Sequence, residues 1–498
     1  MGRRLVTGAL AGMLAACLGM AAAHLVAALT NPQASPVYAV GGTVIDATPT
    51  PVKEWAVRTF GTADKAILVG SVLAVTLLLA AAAGVVARRR SGLGTALLVG
   101  LVALAGAAAL HRPGASASDV VPSLVAAAVG TGTLTALLRT RPRAAPTDPS
   151  RRTFLLGAGV VALAGVAMAG AGQWIVKARA RISDIVLPRV TAPLPDLPAG
   201  LDAKHPGISA FRTPNRSFYR VDTKLAVPLV DHTRWRLHVD GMVERELSFS
   251  YDELRDLAVE EHDITLTCVS NTVGGKLVGA ARWLGVPVRT LLEQAGPSPR
   301  ADQVLSIDVD DFRISTPLPA LTDRPALVAL GMNGSVLPRE HGFPARLVTP
   351  GLYGFVGATK WLETLRLTTY ERDEAYWTRR GWATDAPIKL SSRIDTPRPL
   401  ATVAAGRRAI GGVAWAQHVG VAAVEVRLDG GPWQSATLGP DAGVDYWRQW
   451  YLAWDATPGK HQIAVRAIGQ DGTEQTAVRA SSFPAGSSGI QEIVVTVA

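Results

Sequence analysis

Chemistry in this chain has few places to reside, and Cys268 is the first of them. The sequence holds two cysteines. Cys17 lies within an apolar N-terminal run. Cys268 lies in Thr265-Leu266-Thr267-Cys268-Val269-Ser270-Asn271, a β-branched and apolar strand edge that breaks into a polar Ser-Asn turn. No disulfide partner is evident for it, and two fates fit such a thiol. One is a small buried hydrophobe, the commonest role of free cysteine. The other is a thiolate ligand for a soft-binding transition metal. Two cysteines also exclude an iron–sulfur cluster built on this chain and a C-x-x-C-H haem attachment.

The elements that must position this thiol can be read on either side of it. Trp235 to Gly241 alternates and ends on Asp-Gly, which predicts a strand and a turn. Ser250-Tyr251-Asp252-Glu253 has the form of a capping box and opens a short helix. After the cysteine strand, Pro287 to Ala295 predicts another helix, with Pro287 in its first turn and Gly296 past its end. Ala326 to Met332 reads as a buried strand running into the turn signal Asn333-Gly334. Residues 205–375 are thus mixed α and β. Residues 390–498 change to an all-β pattern: Val424 to Leu428 alternates into Asp429-Gly430-Gly431, and Gln462 to Ile468 runs toward Asp471-Gly472. Tryptophans at 415, 433, 447, 450 and 454 are expected to supply core volume, and the whole reads as a β-sandwich.

The first 176 residues differ from the rest. Mean hydropathy is +0.22 over the chain, high for a soluble protein. The surplus sits in five apolar runs, about 5–29, 66–87, 93–110, 120–138 and 154–176. Each is near the roughly 20 residues that cross a bilayer core. Arg3 and Arg4, then Arg88, Arg89 and Arg90, then Arg139, Arg141, Arg143, Arg151 and Arg152 fall in segments that alternate to the same side. The opposite loops hold only Lys53, Arg58, Lys65 and Arg112. The positive-inside bias then places the N-terminus in the cytoplasm and the chain after 177 outside. These arginines account for much of the net charge of +10. No basic stripe with interleaved aromatics indicates nucleic-acid binding. The first run also fits a cleaved signal peptide, though no convincing small-residue cleavage site follows it, and cleavage would leave the orientation unchanged. Ser150-Arg151-Arg152-Thr153-Phe154-Leu155-Leu156 resembles a twin-arginine export signal, which carries folded, cofactor-loaded domains. Residues 177–204, punctuated by Pro188, Pro193, Pro195 and Pro198, read as a linker.

Residues 205–375 resemble the sulfite oxidase family of molybdopterin enzymes, membrane-anchored bacterial type. The likeness is carried by Thr267-Cys268-Val269-Ser270-Asn271, by Trp283-Leu284-Gly285-Val286-Pro287-Val288, and by Met332-Asn333-Gly334. It continues through Leu337-Pro338-Arg339-Glu340-His341-Gly342-Phe343-Pro344-Ala345-Arg346, Pro350-Gly351 and Lys360-Trp361-Leu362. The resemblance covers about 300 residues and implies an α+β molybdopterin domain followed by an immunoglobulin-like dimerisation domain. It implies that Cys268 ligates molybdenum, the metal of a molybdenum–molybdopterin cofactor, with oxygen atoms exchanged at the metal. It places His341, Arg346 and Lys360 against the cofactor, with backbone contacts from Ala358 and Thr359. Arg346 can grip a phosphate through two parallel N–H bonds. Phe218, Tyr219 and Arg220 match an early segment bordering the pterin.

The departures concern substrate. Where the family commonly shows R-N-H, this chain has Asp222-Thr223-Lys224, so that Lys224 replaces a histidine contact. Asn271-Thr272-Val273-Gly274-Gly275 lacks the arginine found after the cysteine in animal and plant sulfite oxidases, and Leu330 stands in a tyrosine slot. Arg282, Arg339 and Arg448 are the other cations on offer. The expectation is a multi-pass cell-membrane oxidoreductase that transfers oxygen atoms outside the cytoplasm, to or from a small molecule such as a sulfur oxyanion. A sulfoxide or N-oxide reductase on the same site is one alternative. A non-catalytic envelope protein with a degenerate cofactor domain is another. His24 and His111 lack pairing at a common depth, so electrons are expected to pass to a separate cytochrome or the quinone pool. The sandwich is expected to support a homodimer.

Overall fold

A computed structural model of the chain describes residues 2–60, 63–139, 149–179, 182, 185–188, 190, 193–257 and 259–498. The chain divides into two units. The first comprises Met1–Arg181 with Thr223–Leu229; the second comprises Ile182–Asp222 with Val230–Ala498.

In the first unit each apolar run forms a helix long and apolar enough to cross a membrane: Leu5–Leu29, Asp64–Arg89, Ser91–Leu110, Ala117–Arg139 and Leu155–Arg179. A helix satisfies its own backbone polar groups, which hydrocarbon cannot do. The first of them packs against the helices Asp64–Arg89, Val121–Arg139 and Pro149–Arg179. Small residues let the backbones meet. A Cβ on Gly84 would stand 2.2 Å from the Gly8 carbonyl oxygen, a close approach that glycine alone permits. The stretch read as a loop between the first two runs contains two shorter helices, Pro36–Ala47 and Thr50–Phe60. The first begins at a proline, whose fixed φ suits a helix start. Arg141 and Arg143 lie outside the described residues, as do the side chains of Arg151 and Arg152.

The second unit holds the chemistry-bearing block and the sandwich. Leu247–Ser250, Arg236–Gly241, Leu362–Thr368, Gln303–Asp308 and Arg313–Pro317 form one sheet in that order. A second sheet runs Glu260–Thr267, Val278–Pro287, Leu327–Met332, Ser335–Val336, with Arg346–Val348 also paired to Leu327–Met332. The helices Tyr251–Asp256 and Val288–Ala295 contribute to a core that both sheets line. Ser250 caps its helix in a full capping box with Glu253. Pro287 stands one residue earlier than expected, as the N-cap rather than inside the first turn, and Gly296 closes the helix at φ 70°. Asn333 and Gly334 both have positive φ, 54° and 74°, which reverses the chain between Leu327–Met332 and Ser335–Val336.

From Ser391 onward two sheets face one another. One orders Ser391–Thr396, Gly406–Trp415, Arg448–Ala456 and Thr437–Leu438. The other orders Thr402–Val403, Gln491–Val497, Gly459–Gly469, Val421–Leu428 and Trp433–Ser435. Ile394, Ile410 and Trp450 of the first meet Val424, Val426, Ile463, Val465 and Val495 of the second, so this is a sandwich. Two of the tryptophans expected in its core supply that volume to a different cluster. Trp415 and Trp447 pack instead in a cluster shared with Val269, Tyr353 and Phe211. Trp433 is not core: its ring lies 4.8 Å from the Arg427 guanidinium and 4.7 Å from that of Arg466, on the short strand at the edge of its sheet.

Candidate functional site

Cys268 ends a strand whose alternation sorts its side chains. Ile264 and Leu266 point into a core with Phe218, Trp283, Leu327 and Val348. Thr265 and Thr267 take the opposite face. The strand stops because Cys268 N–H donates to Leu277 O at 2.9 Å and Asn271 N–H returns to Cys268 O at 2.9 Å. Asn271 Oδ1 accepts from Leu277 N at 2.8 Å and fixes the turn. Cys268 is 8% exposed. Burial raises its thiol pKa, opposed by hydrogen bonds from the Ser270 backbone and side chain and by the charge of Lys360.

Other groups converge on this turn. The Phe218 ring stacks on Tyr219 at 5.2 Å and meets Trp283 and His341 edge-on at 5.8 and 5.6 Å. A Cβ on Gly354 would stand 3.6 Å from Ala358 Cβ, 3.9 Å from Tyr219 Oη and 3.9 Å from Thr267 O, so these residues meet around Gly354. Tyr219 is raised far above the phenolic range by burial and the nearby Cys268 thiol. Tyr353, also acted on by Cys268, is pushed up to about 12, chiefly by burial. Both phenols therefore stay protonated at ordinary pH.

The cations come from a turn that only glycine fits. Gly342 has φ 116°, and a Cβ there would lie 3.0 Å from Arg346 Cβ and 3.0 Å from Lys360 Cα. Arg346 Nη1 donates to His341 O at 3.1 Å and Nη2 to Ala358 O at 3.3 Å, and the guanidinium lies 5.0 Å from the Trp283 ring centroid. No carboxylate pairs with it among the described residues, and burial pushes its pKa down to about 10. Lys360 Nζ bonds Asp222 Oδ2 at 2.6 Å, an oxygen that also accepts from Arg220 Nε at 2.9 Å. Burial brings Lys360 down to about 8, against the pull of Asp222. His341 donates through Nε2 to Asn215 O at 2.9 Å, since a carbonyl can only accept, and burial lowers its pKa to about 4. Thr359 Oγ1 is 2.6 Å from Ser306 Oγ.

The structure thus gathers Phe218, Tyr219, Arg220, His341, Arg346, Ala358, Thr359 and Lys360 with Cys268. Lys224 falls in the helical unit, where its carbonyl accepts from Lys65 Nζ at 2.7 Å. Asp222 and Tyr353 were not singled out from the sequence. The acid opposite Arg220 was the only available signal for Asp222, and none marked Tyr353. The three alternative cations are committed elsewhere. Arg282 forks onto Asp263 at 3.0 and 2.7 Å, Arg339 donates to Val230 O at 2.9 Å, and Arg448 pairs with Asp441.

Comparison with known proteins agrees with this geometry. Residues 224–377 match the family described as the oxidoreductase molybdopterin binding domain. Human mitochondrial sulfite oxidase is 32% identical over 51% of this chain and 55% of its own length. An uncharacterized oxidoreductase of Bacillus subtilis, YuiH, is 31% identical over 30% of this chain, and the match covers 74% of it. The chain belongs to the sulfite oxidase family of molybdopterin oxidoreductases. This family member spans about half the length of the first curated relatives that it matches. Its fold is also that of the sulfane dehydrogenase SoxCD from Paracoccus pantotrophus, with TM-score 0.51 and 23% identity over 56% of this chain and 80% of that one.

The family's cofactor is molybdenum held by molybdopterin, and the residues fit it. Arg346 is a buried guanidinium without an acid, as an anionic phosphate requires. Cys268 is a soft donor on a fixed turn. Thr267 Oγ1, on the residue before Cys268, is buried with no hydrogen-bond partner among the described residues, leaving a polar atom for a bound group.

Proposed function

We propose that this protein is a membrane-anchored molybdenum-dependent oxidoreductase that transfers oxygen atoms at an extracytoplasmic site. The observation that carries the proposal is the buried Cys268 turn lying within the electrostatic reach of Lys360 and of Tyr219, the phenol that also feels the acid-free guanidinium of Arg346. Cys268 holds the metal; Arg346, His341, Lys360, and the backbone of Ala358 and Thr359 hold the pterin. The bound cofactor supplies two-electron oxygen-atom exchange. The protein's own groups do the rest. Arg346 and Lys360 bring positive charge to the pterin phosphate. Tyr219 and Tyr353 keep their protons and so offer neutral donors beside the thiol. The burial of Cys268 keeps bulk water from the metal ligand.

Arginine placement supports an outward catalytic unit, with the Ser150 to Leu156 segment acting as a twin-arginine signal. The sandwich is immunoglobulin-like and suits a homodimer. Electrons pass to a separate cytochrome or to the quinone pool. A second reading, reduction of a neutral sulfoxide or N-oxide, is favoured by one observation. Arg282, Arg339 and Arg448, the cations that would replace a lost oxyanion pocket, are all tied to protein groups. Metal and pterin analysis of the detergent-extracted chain tests the main reading, which expects about one molybdenum per chain, the stoichiometry of a single ligating cysteine. Protein lacking both metal and pterin would favour a non-catalytic envelope protein. Dye-coupled sulfite oxidation measured against sulfoxide reduction separates the two catalytic readings.

A further inference from the structure

The strand that carries Cys268 is an edge strand. Glu260–Thr267 pairs with Val278–Pro287 on one side and, among the described residues, with no strand on the other. An open edge leaves N–H and C=O groups without ladder partners. Here the sandwich takes them. Thr265 N–H donates to Asp445 O at 2.9 Å, and Thr265 O accepts from Gln417 Nε2 at 2.8 Å. Thr265 Oγ1 accepts from Trp447 N–H at 2.9 Å. The turn after the cysteine is held in the same way. Ser487 Oγ donates to Asn271 O at 2.5 Å, and Arg393 Nη1 donates to Gly275 O at 3.0 Å. Gly274, at φ 76°, brings the backbone so near Gln491 that a Cβ would lie 2.6 Å from its Nε2. Ser487, Gln417, Arg393 and Gln491 are all buried.

These bonds fall three residues before Cys268 and three or more after it, and all come from residues beyond 390. We propose that the C-terminal sandwich is a clamp on the metal-ligand turn, with Ser487 and Gln417 as positioning residues for Cys268. The sandwich then has a task within its own chain, whatever it does between chains. A ligand turn held only by its own sheet would have one hydrogen-bonded side. The clamp gives it two and restricts the local opening through which a buried thiol becomes reactive. This rests on Cys268 being the metal ligand, and the test separates the two claims.

The full chain, with Cys17→Ser so that one thiol remains, is purified in detergent from a host that makes molybdopterin and from one that does not. Two quantities are read: the iodoacetamide alkylation rate of Cys268 in cofactor-free protein, and the Mo(V) EPR g-values of the loaded protein. Ser487→Ala and Gln417→Ala are expected to raise alkylation about tenfold, the size of one lost buried hydrogen bond, and to shift the g-values. Ser487→Thr, which keeps the hydroxyl, returns both toward wild type. Ser392→Ala removes a buried bond of similar kind, to Gln475 Oε1 at 2.6 Å, but one that does not reach the turn. It is expected to change neither. Wild-type rates and spectra in Ser487→Ala and Gln417→Ala would overturn the clamp, as would Ser392→Ala matching them. If Cys268→Ser leaves the EPR signal unaltered, the ligand assignment fails instead, independently of the alkylation result.

Discussion

At the scale of single residues, the site is a collection of groups that burial has moved from their ordinary ionisation. Among the described residues Arg346 is a cation with carbonyl partners and no acid, an arrangement that suits a bound anion. His341 shows the cost in titratable form. Its folded pKa is about 4, and an exposed imidazole titrates near 6.5. Between those values the unfolded chain binds more protons than the folded one, so stability falls as pH falls through that window. The full loss is about 3 kcal/mol at 1.36 kcal/mol per unit. Unfolding temperature measured from pH 7 to pH 4 should therefore drop more steeply for wild type than for His341→Gln. Parallel curves would contradict a buried neutral imidazole.

At the scale of elements, glycines set the geometry. Gly285, inside the Trp283 to Val288 block, sits where Val278–Pro287 shifts register against Leu327–Met332. A Cβ there would lie 2.2 Å from Val328 O, a backbone atom that cannot step aside. Gly285→Ala should destabilise the chain by about 1–3 kcal/mol, as overpacked cores do. Unchanged thermal unfolding would show that the strand pair is looser than drawn. Much of this layer was legible in advance. The capping box at Ser250, the turn at Asn333-Gly334 and the alternating strands are local patterns whose signals lie within a few residues. What stayed hidden depends on distant partners. Nothing near Trp433 says that its strand is the last of its sheet. Nothing near Lys224 says that Thr223–Leu229 belongs with the helices. Arg282 reads as a free cation until Asp263, its partner in register on the neighbouring strand, is seen beside it.

At the scale of the whole molecule, composition and function divide in the same place. The apolar helices carry almost no chemistry, and the chemistry-bearing residues carry almost no membrane signal. The cysteine site was legible because its motif blocks are long and their spacing nearly fixed. The clamp was not, since Ser487 and Gln417 lie far along the chain from Cys268. The proposed orientation rests on the arginine-rich segments. In right-side-out membrane vesicles, Arg234→Cys in a chain that also carries Cys17→Ser should be labelled by a membrane-impermeant maleimide, because the Arg234 side chain is exposed. Labelling only after the membrane is opened would turn the catalytic unit inward.

The central claim is that the Cys268 sulfur is bonded to molybdenum. X-ray absorption at the molybdenum edge counts the sulfur ligands directly. The account predicts one more sulfur neighbour in the wild-type chain than in Cys268→Ser, with the metal still present in both. Equal sulfur counts in the two proteins would contradict it.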